Sequence, residues 1–484
     1  MGRTGPGVLD RTEQQMTTTA RPVIDQAHWQ QRLDELALAH RVPGASLAVL
    51  RLGGDGGGED ELVEAATGVL NTATGVAVTT DSVFQIGSIS KVWTATLVMQ
   101  LVDEGKLQLD APVAEVLPDL QLADADVAGK VTMRHLLTHT SGIDGDIFTD
   151  TGRGDDVLER YVASLADAPQ NHPLGATFSY CNSGFSLAGR VVEVVTGQTW
   201  DAVLRERIIG PLGLTSTSTL PEEAILHRVA VGHIAPGPEQ ELQPTTTWML
   251  PRSLGPAGLI NATARDVTGF ARMHLRDGLG PDGGVLLSAG ATAQMQELQT
   301  ELPDTYSLGD SWGLGWIRFD WHGERLYGHD GTTIGQNAFL RVLPSQGIAV
   351  ALLTNGGHPR DLFSDLYGEV FAELAGVQIS DQLAPPATAP DVELSRYVGT
   401  YERSSITTEV FERDGGLVLR VIPTGTIAES TGATVEEMEL HPVEQGLFVT
   451  RAPGEETWMA AVFYTLPDGA EYLHYGVRAQ PRKA

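Results

Sequence analysis

The sequence predicts an α+β protein. A mainly antiparallel sheet is flanked by helices and interrupted by an inserted helical subdomain, and a small all-β unit follows. Three observations carry this expectation. Strand patterns occur at 45–70 and return at 312–355, with a largely helical stretch from about 107 to 300 between them. Composition shifts to Pro and Ala across 375–394, as in a linker. Beyond that break only short alternating strands remain.

Taken in order, a helix runs from about Ile24 to His40 and stops before Pro43-Gly44. ASLAVLRL (45–52) and ELVEAATGVL (61–70) read as strands joined by the turn GGDGGGED. That turn lacks the Gly-Lys-Ser/Thr ending of a phosphate-binding loop. From Ser88 to Val102 nearly every residue is apolar or small, which marks a buried helix, with Gly105 as its C-cap. TWDAVLRERIIGPLG (199–213) and TARDVTGFARMHL (263–275) are helical patterns, and Thr263 with Asp266 has capping-box spacing. Strands are expected at 312–321, 324–331, 337–345 and 347–355, with a helix at about Asp361–Leu374. The economical packing is one sheet built from both ends of this region. The final stretch holds TEVFER, LVLRVI, GLFVTR, AAVFYTL and EYLHYGV, a sandwich or barrel. The expected division is a disordered tail (1–21), a main domain (22–380), a linker (381–393) and a β-barrel-like domain (394–484).

Composition narrows the partners. Lys plus Arg is 32 against 62 Asp plus Glu, a formal net charge of −30. Such a chain repels nucleic-acid phosphate and anionic membrane surfaces. Cys181 is the only cysteine, so no intrachain disulfide forms. The first residues carry no apolar core of signal-peptide length, and no run of about 18 apolar residues occurs. A cytoplasmic location is the expectation.

Ser88-Ile89-Ser90-Lys91 is the stretch that carries chemistry. A serine hydroxyl is a weak nucleophile unless a neighbouring base takes its proton. Residues i and i+3 of a helix share a face, so Lys91 meets Ser88, and burial lowers a lysine's pKa. At the helix N-terminus, free N–H groups favour developing negative charge. Downstream, Tyr180-Cys181-Asn182 lies in a loop before a helix. His329-Asp330-Gly331 ends a late strand and is followed by Thr332.

These three ordered motifs resemble those of the serine β-lactamase and penicillin-binding-protein superfamily, in its class C-like branch. FQIGSISK (84–91), LLTHTSGI (136–143) and GPAGLINATARD (255–266) are similar to further stretches of that family. The resemblance covers about residues 22–378 and implies a β-lactamase-like fold. YVGTYE (397–402) resembles the opening of the lipocalin-like barrel appended to many members. It implies that Ser88 carries the acyl group and that Lys91 shuttles its proton. Tyr180, its pKa depressed by nearby cations, is the general base or a proton relay. Asn182 positions the substrate, and the backbone N–H groups of Ser88 and Thr332 form the oxyanion hole. Gly331 lets the substrate lie close along the strand edge. Where β-lactam-hydrolysing members have Lys-Thr-Gly, this chain has His329. A histidine is largely neutral at pH 7, so carboxylate binding weakens and β-lactams become poorer candidates.

Other patterns are set aside. Gly309-Asp310-Ser311-Trp312-Gly313 fits a nucleophile elbow, but a strand pattern follows it where a helix is required. His135 and His139 have i, i+4 spacing, yet Leu136 stands where a zinc protease motif has glutamate. Cys181 reads as a small apolar filler and Ser90 as a packing residue. The expected function is a serine hydrolase cleaving an ester or amide through acyl-Ser88, a carboxylesterase or amidase that takes a small-molecule or peptide substrate and needs no cofactor or metal. Alternatives are a transacylase or peptide-cyclising thioesterase, a D-aminopeptidase or weak β-lactamase, and a binding protein that kept the fold without turnover.

Overall fold

The computed structural model describes residues 23–54, 59–235, 240–424, 434–451 and 457–483. The expected tail 1–21 and the centre of the Gly-rich turn, 55–58, lie outside them.

A nine-stranded antiparallel sheet is assembled from both ends of the first region. The strand Gly44–Arg51 sits between Glu61–Asn71 and Ile348–Thr354, so an early hairpin joins late strands. Ile348–Thr354 pairs with Asn337–Leu343, which pairs with Glu324–Thr332, which pairs with Ile317–Trp321. The expected strand 312–321 is two pieces, Ser311–Trp312 and Ile317–Trp321. Gly315, with φ of 79°, breaks it where any Cβ would run into Ala95.

The outer face of the sheet is covered by the helices Gln26–Ala39 and Pro359–Ala375, whose apolar residues share one cluster. Asp25 caps the first helix through its side chain, and Gly376 closes the second in left-handed conformation. The inner face packs on the helix Ser90–Asp103, buried from Ser90 to Leu101. That helix is apolar all round because it is enclosed all round. Trp93 stacks on Phe270 at 4.1 Å, fixing it against the helix Ala264–Leu275. Thr263 caps that helix, but Asp266 turns away to Ser216 and Thr217, so the expected capping box is half formed. The pattern 199–213 is helical from Trp200 to Leu212, with a π turn at Arg205–Ile209 and Thr199 and Gly213 as its caps.

The C-terminal strands form an eight-stranded antiparallel sheet in sequential order, from Gly399–Arg403 to Arg478–Pro481. Tyr401 bridges Arg482, so the sheet nearly closes on itself as a barrel. Its apolar centre includes Tyr397, Leu419, Phe448 and Leu473. Among the described residues no helix is long and apolar enough to cross a membrane.

Candidate active site

Ser88 lies in a 3-10 turn, Gly87–Ile89, immediately before the helix Ser90–Asp103, so the helix begins two residues later than expected. Ser90 opens the helix and its hydroxyl accepts a hydrogen bond from Ile260 N at 3.0 Å. It ties the helix to the neighbouring loop and does not face the cleft.

Lys91 Nζ stands 3.0 Å from Ser88 Oγ and 2.6 Å from the carbonyl of Ala257. The lysine is fully buried, and burial followed by the Arg478 cation pushes its pKa well below the ordinary lysine value. Nζ donates to the Ala257 carbonyl and to Ser88 Oγ, and the depressed pKa lowers the cost of the amine's losing a proton beside that hydroxyl.

Tyr180 lies over the same spot, its ring centre 4.8 Å from Lys91 Nζ. The phenol is buried without a well-aligned partner, and the Ser88 hydroxyl and Arg478 are the neighbours that ease its ionisation. Burial outweighs both, so the phenol pKa is raised. This corrects the expectation of a depressed Tyr180, because removing a phenolate from water costs more than one cation at ring distance returns.

Asn182 opens the helix Asn182–Thr196, and its side-chain amide donates to Asp146 at 3.1 Å. His329 is buried on the strand Glu324–Thr332, and its Nδ1–H donates to the Asp330 carbonyl. Burial, with Lys91 nearby, pushes its pKa down to about 3. His329 therefore presents a neutral ring with Nε2 as an acceptor, unlike a lysine.

Gly331 serves packing as well as access. A Cβ there would fall 1.9 Å from the Ile86 carbonyl and 3.0 Å from Ser88 N. A Cβ on Gly87, whose φ is 52°, would fall 2.6 Å from Thr332 N. Two glycines thus let the serine turn and the His329 strand cross backbone to backbone. That crossing brings the amides of Ser88 and Thr332 to one place.

Of the set-aside residues, Ser311 and His135 stay away from Ser88, whereas His139 and Cys181 pack beside Tyr180. Ser311 is buried beside Asp310 and Arg318 on a short strand. His135 caps the helix Met133–Leu137 through Thr132, whereas His139 packs on Tyr180. Among the described residues no group of three or more His, Cys, Asp or Glu side chains is placed to hold a metal. Cys181 is buried and caps Gly184.

Sequence reasoning missed Asp146, Arg403 and Arg478. Arg478, from the barrel, lies 5.3 Å from the centre of the Tyr180 ring and donates to Asp146 at 2.7 Å. Arg403 reaches the same carboxylate at 2.6 Å. Burial alone would raise the Asp146 carboxyl, but the two arginines hold it below the ordinary range. No local pattern marks these residues, because they meet only when the barrel docks. Ser88, Tyr180, Trp248, His329 and Arg478 line one cavity of about 1480 Å³. That exceeds the ~300–1,000 Å³ of a typical small-molecule site.

The Beta-lactamase family model matches residues 10–373. The chain belongs to the β-lactamase family. It is 52% identical over 383 residues to "Penicillin-binding protein 4" of Amycolatopsis lactamdurans, covering 78% of this chain and 98% of that one. The solved structure of SurE covers 95% of this chain and 99% of its own, at 30% identity and a TM-score of 0.74, so its likeness includes the barrel. A D-stereospecific amidohydrolase from Streptomyces covers 73% of this β-lactamase-family chain and 99% of its own, at 27% identity and a TM-score of 0.56. These relatives agree with a serine hydrolase fold.

Proposed function

We propose that this chain cleaves an amide or ester through an acyl-Ser88 intermediate, with the bond on the carbonyl side of a D-configured residue as its substrate class. The observation that carries the reading is the buried lysine amine 3.0 Å from the serine hydroxyl. Ser88 Oγ attacks the carbonyl carbon as its proton passes to Lys91 Nζ. The oxyanion turns to the backbone N–H groups of Ser88 and Thr332. The proton moves from Lys91 through the Tyr180 hydroxyl to the leaving group as its bond to the carbonyl carbon breaks. A raised phenol pKa suits Tyr180 to relay a proton and leaves Lys91 as the base. Water then attacks acyl-Ser88, and the same groups return the proton.

The D-configuration is supported by the D-stereospecific amidohydrolase and by a SurE structure containing D-Leu. His329 as a neutral ring argues against efficient binding of a β-lactam carboxylate. The cavity, shared by both units, favours a second outcome, in which an amine displaces the acyl group in place of water. We take residues 22–380 as the catalytic unit of the class C-like branch and 394–484 as the barrel.

Mass spectrometry after treatment with a fluorophosphonate tests the intermediate. The adduct maps to Ser88 and disappears in Ser88→Ala; labelling at Ser311 would sink the assignment. D- and L-amino-acid amides, p-nitrophenyl esters, nitrocefin and a peptidyl thioester test the substrate. Equal turnover of D and L amides removes the stereochemical part, and a cyclic or amine-coupled product establishes transfer.

A further inference from the structure

Among the described residues, six other than glycine have left-handed backbone: Arg41, His139, Asp277, His322, Asp414 and Val477, with φ from 52° to 60°. Arg41, Asp277, His322 and Asp414 occupy exposed turns. His139 is fully buried and Val477 half-buried. A β-branched residue rarely adopts this conformation, because its side chain crowds the following carbonyl. Val477 lies with Gly476, φ of 56°, in the two-residue turn between the barrel strands Glu471–Tyr475 and Arg478–Pro481. Asn-Gly and Gly-Gly are the favoured residues of such a turn. His139 follows the helix Met133–Leu137 where glycine is the usual residue.

Both exceptions hold the same three-residue segment. Ser179 N donates to the His139 carbonyl at 2.9 Å, and Tyr180 N donates to the Val477 carbonyl at 3.0 Å. Cys181 N donates to His139 Nδ1 at 2.9 Å. The His139 ring also stacks on the Tyr180 ring at 4.3 Å and 27°. Because Nδ1 accepts, this imidazole carries its proton on Nε2 and is neutral. Backbone strain of this kind persists only where the surroundings over-determine it.

We propose that His139 and Val477 are a pair of positioning residues, one from the main body and one from the barrel. By holding three consecutive backbone N–H groups they fix the Tyr180 hydroxyl at Ser88, so turnover depends on the barrel turn being docked. This rests on the acyl-Ser88 reading.

The test uses the full chain with Val477→Gly and His139→Asn. Glycine relieves the left-handed backbone and loosens the turn. Asparagine accepts this backbone and keeps an acceptor, but loses the stack. Acylation by a p-nitrophenyl ester, KM, the thermal midpoint and hydrogen exchange at the Tyr180 amide are measured. Val477→Gly keeps or raises the midpoint while kcat falls at least ~10-fold with little change in KM, since small misplacements of a reacting group cost up to about 10²-fold. His139→Asn folds and shows a similar loss in kcat. Val477→Gly with kcat within about twofold of the unmodified chain overturns the proposal, because that change is far below such a misplacement cost. So does a lowered midpoint, which would show an ordinary packing role. If the unmodified chain takes no label at Ser88, the acyl-enzyme reading fails by itself. The clamp is then read from hydrogen exchange: faster exchange at Tyr180 in Val477→Gly supports it and unchanged exchange refutes it.

Discussion

Replacing Asp146 by alanine should loosen the seam between the body and the barrel more than any other single change. The carboxylate is 4% exposed and pairs with Arg403, 6% exposed, and Arg478, 18% exposed. It also accepts from Asn182. Removing one partner of a buried pair costs about 3–5 kcal/mol, because the remaining charge is left in a poor dielectric. Here two guanidinium groups lose their partner together, which places the expected cost near 5 kcal/mol. At ~1.4 kcal/mol per tenfold, the undocked population rises by three to four orders of magnitude. Both arginines come from the barrel and Asp146 from the body, so the loss falls on docking and leaves each core intact. Limited proteolysis at the linker 381–393 reads this directly, in conditions where cleavage follows the open population. Asp146→Ala should be cut far faster than the unmodified chain, and its Ser88 acylation should fall with it. Asp146→Asn, which keeps a hydrogen-bonding oxygen, should fall between the two. Cleavage and acylation both within about twofold of the unmodified chain would refute the reasoning, since that is well under 1 kcal/mol. Acid should mimic the substitution. Because the folded pKa of Asp146 is depressed, its stabilisation is present above the unfolded value of 3.8 and is lost as pH falls through the lower folded value.

Lys91→Met should fold with stability equal to or above that of the unmodified chain, because a flexible apolar chain suits a fully buried site. Its acylation rate should fall by about 10³-fold or more, the scale of a lost proton acceptor; stopped-flow release of p-nitrophenol checks both claims alongside a thermal melt. Gly331→Ala should lose both stability and acylation, since the new Cβ meets the Ile86 carbonyl; a variant with unchanged melting and turnover would contradict the backbone crossing. Global stability should decline as pH falls below the unfolded histidine value of 6.5. His274 and His329 are held near 3 and His172 and His474 near 4, so the unfolded chain binds more protons across that window. Urea midpoints at pH 7.5, 6 and 5 check this, and a flat profile would count against neutral burial.

What was legible in the sequence was local. The apolar run after Ser88 announced a buried helix, and i, i+3 spacing brought Lys91 to Ser88. The order of Ser-x-x-Lys, Tyr-x-Asn and His-x-Gly carried the family resemblance, which the family match bears out. The strands at 45–70 and 324–355 fell close to where they were expected, the one at 312–321 was broken at 313–316, and the sheet did join the two ends. Local rules failed at the serine turn itself, where crossing the His329 strand imposes a tighter 3-10 geometry. The depressed Tyr180 pKa that the resemblance implied failed as well, because a pKa depends on total burial and the charges around it. Asp146, Arg403 and Arg478 were invisible for a related reason: each is unremarkable alone, and buried charges from distant segments acquire meaning only as partners. The sequence by itself determined the family motifs, the spacing that sets Lys91 beside Ser88, and the strands of the sheet. The tertiary structure decided how deeply these groups are desolvated, and that the barrel reaches the cleft, because desolvation and docking are properties of the assembled volume.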